Sequence, residues 1–182
     1  MDICSMKLSD VFLIKQDSFL DLRGSFIKTF HAQTFSDYGL ETDFRESFYS
    51  VSKKNVIRGM HFQSPPYDHT KLVYVVEGEI RDVVLDVRKG SPSYGKSIIE
   101  TLSDSNHCSL YIPKGFAHGF YVCSDIAKVV YMQSSEYNSE HDSGIRWNSF
   151  GLDWEVENPI LSERDQNLMR FQDFESPFFY NV

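Results

Sequence analysis

Ile80-Arg81-Asp82-Val83-Val84-Leu85-Asp86-Val87-Arg88 is the stretch that decides the fold class. Side chains two apart on a strand share a face, so Val83, Leu85 and Val87 line one side while Asp82, Asp86 and Arg88 line the other. An exposed strand in an open sheet alternates in the same way. The company of this strand separates the two readings. His61, Gln63, Lys71, His118 and Tyr131 also sit within apolar β surroundings. So many polar residues inside apolar strands predict a barrel with a polar mouth, the usual place for a small-molecule site.

Working outward, the chain divides into short alternating or β-branched runs that read as strands. They are Val11–Ile14, Ser25–Thr29, Phe48–Ser52, Val56–Gln63, Lys71–Val76, Ile80–Arg88, Lys96–Glu100, Ser109–Ile112, Gly119–Val122 and Lys128–Gln133. Glu77-Gly78-Glu79 is a glycine-centred connection of hairpin length. Helical signals are few: Ala32–Tyr38, stopped by Gly39, and a segment opened by the Ser-x-x-Asp capping box Ser162-Glu163-Arg164-Asp165. Many strands with tight turns predict a closed sandwich or barrel. No repeat or linker divides residues 1–182, so one mostly-β domain is expected.

Composition narrows the function. The 182 residues are 41% hydrophobic, with 18 Lys+Arg against 26 Asp+Glu, a formal net charge of −8. That balance argues against nucleic acid and against an anionic membrane surface, leaving room for an anionic small molecule held by locally placed arginines. The first residues lack a basic region followed by an apolar stretch of about 7–15 residues, so no secretory signal is expected. No apolar run reaches the roughly 18 residues of a membrane span. Cys4, Cys108 and Cys123 are odd in number and lack Cys-x-x-Cys spacing, which fits free thiols in a reducing cytoplasm.

Three segments place an imidazole or a cation beside a glycine: Leu22-Arg23-Gly24-Ser25-Phe26, Val56 to Gln63, and Tyr111 to Phe120. Glycine there permits a bulge that re-aims neighbouring side chains. A barrel metal site needs three or four converging His or carboxylate ligands. His61-Phe62-Gln63 offers one imidazole where His-x-His would offer two, so no metal and no other cofactor is expected. The remaining set matches proton transfer at a carbon beside a carbonyl. His61 titrates near neutrality and can act as base. Lys71 can stabilise an enolate oxygen, and a phenol such as Tyr131 on the opposite face can return the proton, inverting the centre.

At these residues the chain resembles the dTDP-4-dehydrorhamnose 3,5-epimerase family, cupin-type (double-stranded β-helix, or jelly-roll) barrels that act on nucleotide-linked 4-keto-6-deoxy sugars. The resemblance runs from about Leu8 to about Pro177. It rests on Arg23-Gly24-x-Phe26, Val56-x-Arg58-Gly59-Met60-His61-Phe62-Gln63, Lys71-Leu72-Val73 and Val87-Arg88 followed by Ser91-Pro92-Ser93-Tyr94-Gly95. Ile112-Pro113-x-Gly115-Phe116-Ala117-His118-Gly119-Phe120 and Gly144-Ile145-x-Trp147-Asn148 complete it. The resemblance implies a base at His61 oriented by Asp165, an acid at Tyr131, and Lys71 and His118 around the keto end. It implies diphosphate ligands at Arg23 and Arg58, a nucleotide contact at Phe26, a base-stacking Tyr137 and an acidic partner at Asp142. It also implies a homodimer in which the N-terminal segment completes the partner's site. Asp165 has a second reading, as the last residue of its capping box, and Asp82 and Asp86 read as partners for strand polar groups.

Two departures bear on the substrate. Lys28 stands where the family has an acidic residue facing thymine, and Glu46-Ser47-Phe48 stands where it has Gln-x-Asn near the sugar. A lysine only donates hydrogen bonds. Lys28 therefore points to a guanosine- or cytidine-linked keto-deoxysugar, with a deoxyheptose as one form, and to cell-surface polysaccharide synthesis (lipopolysaccharide or capsule). Lys28, Glu46 and Gln63 are expected to touch that substrate. The competing functions are a cupin 3,4-ketoisomerase, a non-catalytic sugar-nucleotide binding module and, last, a cupin dioxygenase.

Overall fold

The structure, a computed structural model, describes residues 1–180. In chain order the elements are β1 (Asp2–Ser5), β2 (Phe12–Lys15), β3 (Asp17–Asp21), β4 (Gly24–Lys28), α1 (Ala32–Asp37), β5 (Glu46–Lys53), β6 (Ile57–Gln63), β7 (Lys71–Glu77), β8 (Glu79–Asp86), β9 (Ser97–Ser103), β10 (Cys108–Ile112), β11 (Phe116–Val122), β12 (Ile126–Gln133), β13 (Asp142–Gly144) and α2 (Glu163–Gln166). Two antiparallel sheets form the body, one in the order β1-β2-β10-β7-β12-β5 and the other β13-β6-β11-β8-β9. This is the expected mostly-β jelly-roll with a few short helices. The β3–β4 hairpin pairs with neither sheet.

The Glu77-Gly78-Glu79 connection does not close a hairpin. β7 pairs with β10 and β12, whereas β8 pairs with β9 and β11, so Gly78 carries the chain from one sheet to the other. A Cβ on Gly78 would meet the Ile126 carbonyl oxygen at 2.1 Å, so the corner closes only without a side chain. Local turn chemistry cannot tell a pairing turn from a sheet-switching one.

Between the sheets lies a core that includes Val73, Val84, Leu110, Phe120, Val129 and Tyr131. Each sheet also buries its outer face. The stretch around α1 sets Phe35 against Ile14, Leu72 and Tyr111 of the larger sheet. The C-terminal stretch lays Trp154 and Phe178 over Val83 and Leu85 of β8 and Val87 just beyond it. The β8 strand is therefore buried on both faces, and its carboxylates are not a solvated row: Asp82 and Asp86 are 0% exposed. A buried charge needs partners, and Asp86 has them. It accepts from the Arg88 guanidinium and from Ser91 Oγ at 2.6 Å and Ser93 Oγ at 2.7 Å, while Arg88 reaches Asp10 at 2.8 Å.

Candidate active site

A cavity of about 360 Å³ opens between the sheets, and its walls hold nearly all the polar residues that stood out in the sequence. Its construction begins with two glycines. On β6 and β11, Gly59 and Gly119 touch back to back: a Cβ on Gly59 would lie 2.5 Å from Gly119 Cα, and one on Gly119 would lie 2.7 Å from the Arg58 carbonyl oxygen. The ladder shifts register between His118 and Phe120, the bulge that the glycines imply. His61 and His118 are direct cross-strand partners, and both line the cavity.

His61 Nε2 lies 2.7 Å from Asp165 Oδ1, and Asp165 Oδ2 accepts from the Gly59 N–H at 3.1 Å. Asp165 is also the last residue of the capping box: Ser162 Oγ accepts from its backbone N–H at 3.1 Å. Its carboxylate does not return to the Ser162 N–H; it is turned toward His61. Burial lowers the His61 pKa, with the Asp165 hydrogen bond and charge opposing it, so the imidazole is neutral near pH 7. Burial raises Asp165, but the hydrogen bond and charge of His61 outweigh it and the net shift is downward. An ionised Asp165 takes the Nε2 hydrogen, which leaves the Nδ1 lone pair of His61 without a protein partner among the described residues. Lys71 lies nearby, its ammonium donating to the His61 carbonyl at 3.0 Å; burial lowers it to about 8.

The opposite wall comes from the other sheet. Tyr131 on β12 is 8% exposed, stacked on Phe48 of β5 with ring centroids 4.8 Å apart and an 18° interplanar angle. Burial, with the Asp82 charge adding to it, raises the phenol far above its ordinary value. The ring of His118 stands edge-on to Tyr131 at 6.0 Å, and His118 Nε2 lies 2.8 Å from Asp82 Oδ2. Asp82 and Asp86 thus do different work: Asp86 pins a loop, and Asp82 holds a histidine of the cavity.

The cavity is also lined by Arg58, whose Nε donates to Ser52 Oγ at 2.9 Å, and by Arg164, which donates to Asp142 Oδ1 at 2.8 Å. Tyr137 donates to Asp142 Oδ2 at 3.3 Å. Of the residues singled out from sequence, Glu46, Arg58, His61, Gln63, Lys71, His118, Tyr131, Tyr137 and Asp142 line the cavity and Asp165 backs it. Arg23, Phe26 and Lys28 do not line it. They lie on the β3–β4 hairpin, where Arg23 pairs only with Asp21, and Leu22 and Phe26 are exposed. Sequence reasoning missed His69 and Arg164, which line the cavity. Arg164 sits beside Asp165 in the capping box, a signal that was legible. His69 lies in an irregular loop, where no periodicity marks it. Among the described residues no three His, Cys, Asp or Glu side chains converge as a metal site would require.

A jelly-roll with a carboxylate-backed imidazole on one sheet and a buried phenol on the facing sheet defines a cupin-type sugar epimerase, an isomerase. The family model for dTDP-4-dehydrorhamnose 3,5-epimerase matches residues 5–173, and the chain belongs to that family. It is 40% identical over 176 residues to the dTDP-4-dehydrorhamnose 3,5-epimerase of Shigella flexneri, covering 95% of this chain and 97% of that one. To its Escherichia coli (strain K12) counterpart it is 40% identical over 172 residues, covering 92% and 93%. The crystal structure of dTDP-6-deoxy-D-glucose-3,5-epimerase from Legionella pneumophila Philadelphia 1, in complex with dTDP-4-keto-L-rhamnose, superposes with a TM-score of 0.95. It shares 32% identity and covers 100% of this chain and 99% of that one. These relatives are named for dTDP-linked sugars, which favours dTDP over the expected guanosine- or cytidine-linked nucleotide. Lys28, which carried that expectation, is exposed on the hairpin and does not line this chain's own cavity; it shares a face of β4 with Phe26.

Proposed function

We propose that the protein epimerises a dTDP-linked 4-keto-6-deoxy sugar at carbon 3, carbon 5 or both. One observation carries the reading: a neutral, Asp165-backed His61 faces a buried, protonated Tyr131 from the opposite sheet. His61 Nδ1 removes the proton beside the ketone, and the C–H electrons move into an enolate whose oxygen meets the Lys71 ammonium and His118. Tyr131 delivers its proton to the other face of the same carbon, which inverts it. Solvent then restores the phenol and discharges the imidazolium. Positioned acid–base groups contribute about 10²–10⁴-fold, and a single oxyanion donor about 10²–10³-fold. A ketoisomerase or a binding module gives no reason to hold a protonated phenol opposite the base.

Arg58 and Arg164 are suited to a diphosphate, being bidentate donors beside the cavity. The hairpin fits the homodimer implied by the family: Phe19, Leu20, Leu22 and Phe26 are exposed on it, with the Phe19 and Phe26 rings 6.2 Å apart, an apolar set outside the chain's buried clusters. Seated on a second copy, it would bring Arg23 and Phe26 to the partner's nucleotide. A nucleotide-sugar substrate and three free thiols suit a reducing cytoplasm, and no helix among the described residues is long and apolar enough to cross a membrane.

The test is incubation in D₂O with dTDP-, GDP- and CDP-4-keto-6-deoxy sugars, counting deuterium by mass spectrometry, with His61→Asn as control. Exchange into the dTDP sugar, lost in the control, is expected. No exchange with any of the three would sink the epimerase reading, and faster exchange with GDP or CDP would sink the nucleotide assignment.

A further inference from the structure

His69 lines the cavity but has no place in the proton-transfer pair, and its environment is specific. The neighbouring Gln63 amide has only one orientation open to it. Gln63 Oε1 accepts from the Asn138 N–H at 2.6 Å, and Nε2 donates to the carbonyls of Tyr67 at 2.8 Å and Glu136 at 3.2 Å. The two hydrogens of that nitrogen are divided among these carbonyls and His69 Nδ1, which lies 3.2 Å away. An amide nitrogen can only donate. Ser135 Oγ, which donates to the Tyr67 carbonyl at 2.8 Å, lies 3.3 Å from the same ring nitrogen, so Nδ1 is enclosed by Gln63 and Ser135.

Nε2 is buried and has no partner among the described residues. The ring is 8% exposed and shares the cavity wall with Lys71 and His118. Burial, with the Lys71 charge adding to it, pushes the imidazole down to about 3, so it is neutral at any working pH. A buried ring nitrogen left without a hydrogen-bond partner is costly, and such groups recur where a ligand supplies the missing partner.

We infer that His69 reads the substrate: its Nε2 forms a hydrogen bond to a sugar hydroxyl, and Gln63 and Ser135 hold the ring through Nδ1. This rests on the epimerase reading above. A neutral ring nitrogen requires a hydrogen-bonding group at that point, which a hydroxyl satisfies in either tautomer, and rejects an alkyl substituent. It also gives Gln63 a positioning task, since its amide is committed to the loop and to His69.

The experiment compares wild type, His69→Leu, His69→Met and His69→Gln in D₂O with dTDP-4-keto-6-deoxyglucose, reading KM, kcat, the pH profile and Tm. Removing the ring nitrogen (Leu, or Met if Leu does not fold) should raise KM about tenfold, as one lost hydrogen bond does. The acid limb of the pH profile should stay where it is in wild type. His69→Gln, which retains an N–H donor, should stay within about threefold of wild type. A KM within twofold of wild type in a folded Leu or Met variant would overturn the inference alone. So would loss of the acid limb, which would make His69 the base. No exchange by the wild type would instead refute the epimerase reading on which it rests.

Discussion

Replacing Asp165 with Asn tests the centre of the mechanism, because two contacts of one carboxylate dictate the outcome. Asp165 accepts from His61 Nε2 at 2.7 Å and from the Gly59 N–H at 3.1 Å. An asparagine has one acceptor and must choose. If its oxygen faces His61, its NH₂ confronts the Gly59 N–H, and two buried donors are left unsatisfied at about 1–3 kcal/mol each. If its oxygen takes the Gly59 N–H, its NH₂ faces His61 Nε2 and forces the hydrogen onto Nδ1, the nitrogen that has to take the proton. Either way the productive tautomer costs about 2 kcal/mol or more. Loss of the charge-assisted bond to the imidazolium adds about 1.5–3 kcal/mol. The sum of roughly 3.5 kcal/mol corresponds to about 300-fold, as a lower bound, in kcat. An Asp→Asn change that flips the histidine tautomer in a Ser-His-Asp triad costs about 10⁴-fold. Helix α2 should survive, because its cap uses the backbone N–H of residue 165 and not the side chain. The assay is deuterium wash-in to the keto sugar with Tm measured in parallel. A folded Asp165→Asn protein within tenfold of wild type would refute the dyad.

Further expectations concern the other groups. The pH profile of kcat/KM should be bell-shaped. His61 works as the neutral form and its pKa is lowered, so activity is lost only as pH falls below its ordinary 6.5; Lys71 works as the cation, so activity is lost as pH rises through about 8. A profile flat to pH 9 would remove Lys71's charge from the mechanism. Tyr131→Phe should cut epimerisation by about 10²–10⁴-fold while His61 still exchanges the first proton, so deuterium entering without inversion is the expected signature. Leu22→Asp with Phe26→Asp should turn a dimer into a monomer of 21.1 kDa by light scattering, and a monomeric wild type would contradict the exchanged hairpin. Asp86→Ala leaves Arg88 buried without its main partner, at about 3–5 kcal/mol. At roughly 2–4 °C per kcal/mol for a chain this size, Tm should fall by roughly 6–20 °C, and an unchanged Tm would show that the Arg88 network holds nothing.

Each strand read from alternation is present within a few residues of its expected span, because side-chain period and burial coincide there. The strands that escaped notice are those where they do not. β13 is three residues long, too short for a period, β1 is four residues and mostly exposed, and β3 is mostly exposed because it belongs to the projecting hairpin. Residues on regular strands were legible as site members: His61, Lys71, His118 and Tyr131 are polar interruptions of apolar runs. His69 was not, since a loop has no pattern to interrupt, and what distinguishes it is an amide orientation fixed by backbone groups from distant segments. The sheet switch at Gly78 was hidden for a related reason. Whether two adjacent strands pair depends on which other strands compete for their edges, and that is a property of the whole chain.

One physical cause sets the protonation states of the groups that carry the chemistry. Desolvation disfavours whichever form is charged. Applied to His61 it produces a neutral base, and applied to Tyr131 it retains the proton of an acid. Applied to Lys71 it lowers the ammonium only to about 8, which leaves most of it charged near pH 7. A single dry cavity therefore holds a proton acceptor, a proton donor and a cation together, although in water the phenol and the imidazole would lie much closer in acidity. The sheets supply what desolvation cannot. His61 and Tyr131 stand on strands of opposing sheets, so in the proposed mechanism the proton leaves from one face and returns to the other and inversion follows from the architecture of the barrel, whereas the same groups on one sheet would return the proton to the face it left.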